Sequence, residues 1–151
     1  MKYDFTASVS INTQTPISAV WHALTNPAMI KKYFFGREAI SDWKEGSTIL
    51  FRGERGGKYY EDKANLLIVE PYKILQYDYW SEMSGTEEKP ENYMLITYEL
   101  YEEEELTTLT ITQENISDEQ RKIHSEQNWR KAIKDLQELL ENYPPVPVPG
   151  T

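Results

Sequence analysis

Two histidines, three strand-borne carboxylates and one glycine-rich turn are the groups through which this chain could do chemistry. A histidine acts as a general base only beside a positioned partner. His22 follows Trp21 in a helical stretch and His124 precedes Ser125 and Glu126 in another, so neither spacing supplies one. Glu61, Asp62 and Glu70 read as isolated carboxylates, whereas paired acid–base work needs two carboxyl groups in different environments facing one substrate. Arg52-Gly53-Glu54-Arg55-Gly56-Gly57-Lys58 is the nearest approach to an anion-cradling loop. It lacks the GxxxxGK[ST] order and no helix follows it, so it reads as a flexible hairpin. There is no cysteine, no His-x-x-x-His and no Asp-rich calcium loop, which leaves no expected cofactor or metal. What the chain does have is 11 Tyr and 4 Trp in 151 residues, side chains that line apolar ligand cavities and equally populate strands.

The elements that would position those aromatics follow from periodicity. Tyr3, Phe5, Ala7, Val9 and Ile11 alternate with polar residues, the pattern of a strand with one wet face. Thr15-Pro16 and Asn26-Pro27 each read as a cap followed by a first-turn proline. They open two short helices, carrying Ile17, Val20, Trp21 and Leu24, then Met29, Ile30, Tyr33 and Phe34, the second ended by Gly36. From about 38 to 114 the chain reads as a meander of about six strands. Expected inward residues are Ile49 and Phe51; Tyr60, Ala64, Leu66 and Ile68; Leu75, Tyr77 and Tyr79; Met94, Ile96, Tyr98 and Leu100; and Leu109 and Ile111. Residues 81–92 form a polar loop, and Glu102–Glu105 is a solvated turn whose like charges deter edge pairing. Ser117 with Gln120 matches a capping box ahead of a long helix striped by Trp129, Ile133, Leu136 and Leu140. Residues 143–151, rich in proline, read as an extended tail.

This order implies an α+β helix-grip fold: a curved antiparallel sheet of about six or seven strands wrapped around a long C-terminal helix, with two short helices after the first strand. One domain over 1–142 suits the length. Such a sheet must cover its apolar concave face, and a helix laid across it can leave a cavity of the kind that holds small ligands. The expected lining residues are Trp21, Phe34, Phe51, Tyr77, Tyr79, Met94, Tyr98, Trp129 and Ile133; the alternative is that they pack as ordinary core.

The residues that carry a resemblance are Ala19-Val20-Trp21-His22-Ala23-Leu24-Thr25-Asn26-Pro27, then Tyr33-Phe34, then Trp43-Lys44-Glu45-Gly46. They continue through Tyr60 with Glu61 and Asp62, Glu70-Pro71-Tyr72-Lys73-Ile74-Leu75, and Asn128-Trp129 ahead of Ile133, Leu136 and Leu140. In order and spacing they resemble the family named for the activator of the heat-shock protein 90 ATPase, within the Bet v 1-like, START-related superfamily. Asn128 and Tyr72 stand where that family commonly has glycine and proline. The resemblance implies a helix-grip fold with a cavity, in a superfamily that spans lipid carriers, cyclases and receptors and so fixes no single function. It also suggests a stress-response setting. The eukaryotic co-chaperone behind the family's name has an additional N-terminal domain absent from these residues, so chaperone activation is not expected here.

Three functional readings follow. The first is a non-enzymatic domain that encloses a small apolar or amphipathic ligand, in which Trp in place of Ala64 is expected to block binding. The second is a protein-interaction or co-chaperone-like module acting through its acidic surface, and the third a cyclase- or hydrolase-type enzyme using cavity tyrosines or Asp62. With 25 acidic against 16 basic residues and a net charge of −9, neither nucleic acid nor an anionic membrane is an expected partner. The N-terminus shows no signal-peptide core, giving an expected cytoplasmic location, as monomer or homodimer.

Overall fold

The computed structural model describes residues 2–81 and 84–142; the proline-rich segment read at 143–151 lies outside the described residues. Strand β1 (Phe5–Thr13) leads into helices α1 (Ile17–Thr25) and α2 (Pro27–Tyr33). Six strands follow: β2 (Glu38–Ile40), β3 (Thr48–Arg55), β4 (Lys58–Glu70), β5 (Ile74–Trp80), β6 (Met94–Glu103) and β7 (Leu106–Ile116). Helix α3 (Glu119–Asn142) closes the order. All seven strands form one antiparallel sheet in the order β1-β7-β6-β5-β4-β3-β2, so only the β1–β7 pairing joins strands distant in sequence. This is the helix-grip arrangement that the periodicity implies.

Local chemistry explains most of the boundaries. Asn26 caps α2, its side-chain oxygen accepting from the Met29 N–H at 3.2 Å, with Pro27 in the first turn. Asn26→Ala should therefore cost about 1 kcal/mol, read as a lowered urea midpoint with an unchanged slope. The other two expected caps are corrected. The N-cap of α1 is Pro16, without a side-chain cap, because the Thr15 hydroxyl accepts from Thr13 instead and its carbonyl accepts from Thr107. At the start of α3 the adjacent Asp118, not Ser117, accepts from the Arg121 N–H at 2.8 Å.

Two bulges move side chains that simple alternation places inward. Between Leu66 and Ile68 the β4–β5 register shifts, so Ile68 leaves the core and Val69 packs against it. Between Phe5 and Ala7 the β1–β7 register also shifts, leaving Phe5 37% exposed while Ala7 and Val9 are buried. The residue that makes this second bulge is Asn115, at φ 70°, a left-handed conformation that asparagine tolerates better than most side chains. Its side chain accepts from the Tyr3 N–H and donates to the carbonyls of Glu91 and Tyr93, tying three segments together.

Helix α3 leans toward one edge of the sheet. It packs mainly along β1, with lesser contacts to α2, β7 and α1, and Gln137 in its C-terminal half donates to the Asn12 carbonyl at 2.9 Å. Ala132, Ile133 and Leu136 are buried there. The middle of the sheet is covered instead by aromatic side chains of α2, β3, β5 and β6, and space remains at the N-terminal half of α3.

Candidate functional site

That space is a cavity of about 480 Å³, within the ~300–1,000 Å³ usual for small-molecule sites. Its inner wall is Phe34 from the end of α2, Tyr77 and Tyr79 from β5, Met94 and Ile96 from β6, and Trp129 from α3. Its rim is mainly polar, with Arg55, Ser84, Arg121, Ser125 and Asn128 beside the exposed ring of Phe35. Every α3 residue on the wall lies between Asp118 and Trp129, so the cavity sits at one end of the grip.

The wall is held by its own contacts. The Phe34 and Trp129 rings stack at 5.5 Å and 18°, while Tyr98 meets Trp129 edge-on at 5.9 Å. The polar atoms of Trp129, Gln113, Tyr77 and Tyr98 on and behind the wall are paired with one another or with Met94, as a low-dielectric interior favours. The Trp129 indole N–H donates to Gln113 Oε1 at 2.7 Å, Gln113 Nε2 faces the Met94 sulfur at 2.8 Å, and the Tyr77 and Tyr98 hydroxyls share a 2.7 Å bond. Burial pushes the phenols of Tyr33, Tyr77, Tyr79 and Tyr98 well above their ordinary pKa, so all four are neutral. The sign of the linkage follows. These groups hold their protons more tightly when folded, so stability is unaffected below pH 10.0 and falls as the pH rises beyond it. Denaturant titrations between neutral and alkaline pH should show a plateau and then that decline.

At the inner end lies a charged cluster. Asp62 on β4 is completely buried and accepts a hydrogen bond from the Tyr79 hydroxyl. Arg37, three residues beyond Phe34, places Nη1 3.0 Å from the Tyr79 hydroxyl and 3.7 Å from Asp62 Oδ2. Its guanidinium lies over the Phe34 ring at 4.8 Å and near the Tyr60 ring at 5.7 Å. Burial opposes the Arg37 charge, but Tyr79, Tyr60 and Asp62 outweigh it and hold its pKa above the ordinary value. Gly53 makes room for this stack, since a Cβ there would stand 2.5 Å from Tyr60 Cζ. Gly53→Ala should therefore push the Tyr60 ring aside, shifting the side-chain NMR resonances of Tyr60 and Arg37 while the β3–β4 pairing persists.

Of the nine residues expected to line a cavity, Phe34, Tyr77, Tyr79, Met94 and Trp129 stand together on this wall. The other four do not, and each has a local reason. Phe51 and Tyr98 lie one layer behind, along a void of about 10 Å³. Ile133 is buried one turn further along α3, where the helix has closed onto β1. Trp21, on α1, packs edge-on against Tyr72 at 6.4 Å, away from the wall. Sequence reading missed Arg37, Gln113 and Asn115. Asp62 is not isolated, and its place in phase with Tyr60, Ala64 and Leu66 was the available signal that an acid faces inward. His22 and His124 are both exposed; His124 reaches the rim, where its Nε2 and Asn128 Nδ2 are 3.3 Å apart.

A curved sheet gripping a long helix, with an aromatic-walled cavity at the helix's N-terminal half, defines a helix-grip domain. A family model described as "Activator of Hsp90 ATPase homolog 1-like protein" matches residues 14–141. The chain belongs to that family. It is 41% identical to ChR145 from Cytophaga hutchinsonii, whose solution structure superposes with a TM-score of 0.82 over 94% of this chain and 97% of that one. CalU16 from Micromonospora echinospora is 22% identical, with a TM-score of 0.71 over 91% of this chain and 76% of that one. The Aha1 dimer from Colwellia psychrerythraea is 17% identical, with a TM-score of 0.74 over 91% and 97%. The last two likenesses bear on the fold alone. No curated protein matches the chain in sequence. Among the described residues no helix is long and apolar enough to cross a membrane.

Proposed function

We propose that the chain is a non-enzymatic binding domain that encloses a small amphipathic molecule in the cavity beside the N-terminal half of α3. One observation carries this reading: a 480 Å³ space with Phe34, Tyr77, Met94, Ile96 and Trp129 inside and mainly polar side chains outside. Apolar ligand surface buried against that wall would contribute about 25 cal/mol per Å². Rim hydroxyls and amides would orient the polar end. A binding role without catalysis is supported by the chemistry of the ionisable groups: Asp62 is completely buried, its Oδ2 held by Tyr79 and Arg37, and the wall tyrosines stay neutral.

Trp in place of Ala64 does not test this reading, because Ala64 is fully buried in the packed core behind the wall, opposite Tyr79. A Trp there would overpack the core and destabilise the fold. Ser125→Trp is the better variant, since Ser125 is half-buried on α3 with its side chain on the cavity wall. Helix propensity changes little between serine and tryptophan. The variant should melt like the wild type and lose at least about tenfold in affinity for a bound amphiphile, since an indole would occupy the space. Native mass spectrometry of both purified proteins checks this directly. An adduct retained equally by a folded Ser125→Trp protein would place the ligand elsewhere.

A further inference from the structure

The distribution of charge around the cavity is the reverse of that over the chain. The protein has 25 acidic residues and a net charge of −9, yet among the described residues its cavity is lined by three arginines, Arg37, Arg55 and Arg121, and one acid, Asp118. The chain's lysines are all elsewhere. Counting the buried Asp62 behind Arg37, the described residues still set three arginines against two acids. Arginine, with five N–H donors in a planar fork, suits recognition of carboxylates and phosphates, which a lysine meets only as a point charge.

The donors are also available. Arg37 uses Nη1 on Tyr79, and its unpartnered Nε is closed off from solvent, so the donors it can offer a ligand are those of Nη2, which has no hydrogen bond among the described residues. Its guanidinium cannot swing freely, being held by the Phe34 face and by Asp62. Arg55 has no ion-pair partner among the described residues. Arg121 is anchored at the mouth by the Ser84 carbonyl at 3.1 Å and by Asp118 at 3.5 Å, both exposed contacts of small energy. The cavity thus joins an apolar wall to arginine donors at its inner end and mouth.

Resting on the binding reading above, we infer that the ligand is an anionic amphiphile, an apolar body bearing a carboxylate or phosphate group that the cavity arginines engage. Cationic amphiphiles are disfavoured by the same charges, and neutral ones gain only the apolar wall. An acidic exterior does not prevent entry, because beyond about 8–10 Å exposed charges are largely screened at physiological salt while the arginines act at contact.

Calorimetric titration of the full chain with dodecanoate, dodecyl phosphate, dodecanol and dodecyltrimethylammonium, each kept below its micelle concentration, tests this. One or both anions should bind roughly tenfold more tightly than dodecanol, and the cation more weakly than dodecanol. The relative strength of the two anions separates a carboxylate site from a phosphate site. Arg55→Gln/Arg121→Gln changes only exposed or rim side chains and should retain the wild-type melting temperature while losing most of the preference for the anion. Arg37→Lys keeps a charge opposite Asp62 and should narrow the preference further, since the fork is lost. Equal binding of dodecanol and the anions, or an anion preference untouched by these arginine changes, would overturn the inference while leaving a neutral-ligand cavity standing. Failure of all four probes to bind would overturn it together with the binding reading.

Discussion

Asp62→Ala should lower stability by about 3–5 kcal/mol, the usual cost of removing one partner of a buried ion pair. Asp62 is completely shielded from solvent and the Arg37 side chain is 17% exposed, so the arginine left behind would remain largely desolvated without its counter-ion. The Tyr79 hydroxyl would lose its acceptor as well. The cost comes from orphaning these groups and not from the strength of the pair itself. Asp62→Leu combined with Arg37→Met should therefore recover much of the loss, because a desolvated pair contributes little beyond a well-packed apolar one. Urea denaturation of Asp62→Ala and of the Asp62→Leu/Arg37→Met double variant, beside the wild type, measures this directly. A loss below about 1 kcal/mol for Asp62→Ala would mean that the cluster is hydrated and acts like a surface pair.

Trp129→Ala should cost about 3–5 kcal/mol, the range for deleting a large buried aromatic side chain. Trp129 is stacked on Phe34, edge-on to Tyr98, and bonded to Gln113, which in turn meets Met94. Its loss removes the joint between α3, α2 and the sheet at the cavity wall. Trp129→Phe separates the two contributions. It keeps much of the stacking and leaves Gln113 Oε1 without its donor, for an expected loss of about 1–3 kcal/mol. Either variant should also weaken ligand binding, since the indole forms part of the wall. Thermal unfolding of both, with the wild type, gives the order. Equal losses for Ala and Phe would assign the whole effect to the hydrogen bond and none to packing.

Much of this architecture is legible in the sequence because alternation and helical stripes report directly on which faces are buried. The phases of β3, β5, β6 and β7 and the stripe through Trp129, Ile133 and Leu136 needed no tertiary information. The errors arise where one residue changes the phase or the partner. The bulge between Leu66 and Ile68 and the left-handed Asn115 each shift a strand by a residue, and nothing local in either sequence requires it. Thr15 and Ser117 have the right side chains to cap helices, but Thr15 is engaged by Thr13 and Asp118 stands next to Ser117 with the better reach. Cap choice is then settled by the path of the backbone.

The site was harder to read for a physical reason. Five wall residues were recognisable as inward aromatics or Met, but which inward residues meet open space depends on where α3 leans. That lean reflects packing against β1, formed by residues more than a hundred positions away. Arg37 was invisible for a related reason. It follows Gly36 in an irregular segment, and its meaning appears only when β4 brings Asp62 and β5 brings Tyr79 to it. Asp62 itself, in phase with buried neighbours, was the one local sign that a buried cation had to exist.

The measurement that bears most directly on the binding reading is an amide and indole NMR titration of the isotope-labelled chain with dodecanoate. The account expects saturable shifts at Phe34, Tyr77, Met94, Gln113 and Ser125 and at the Trp129 indole N–H, with the Glu102–Glu105 turn unmoved. Saturable shifts confined to that turn or to Thr108, Thr110 and Thr112 on the other face of β7, with the Trp129 indole unchanged, would contradict it.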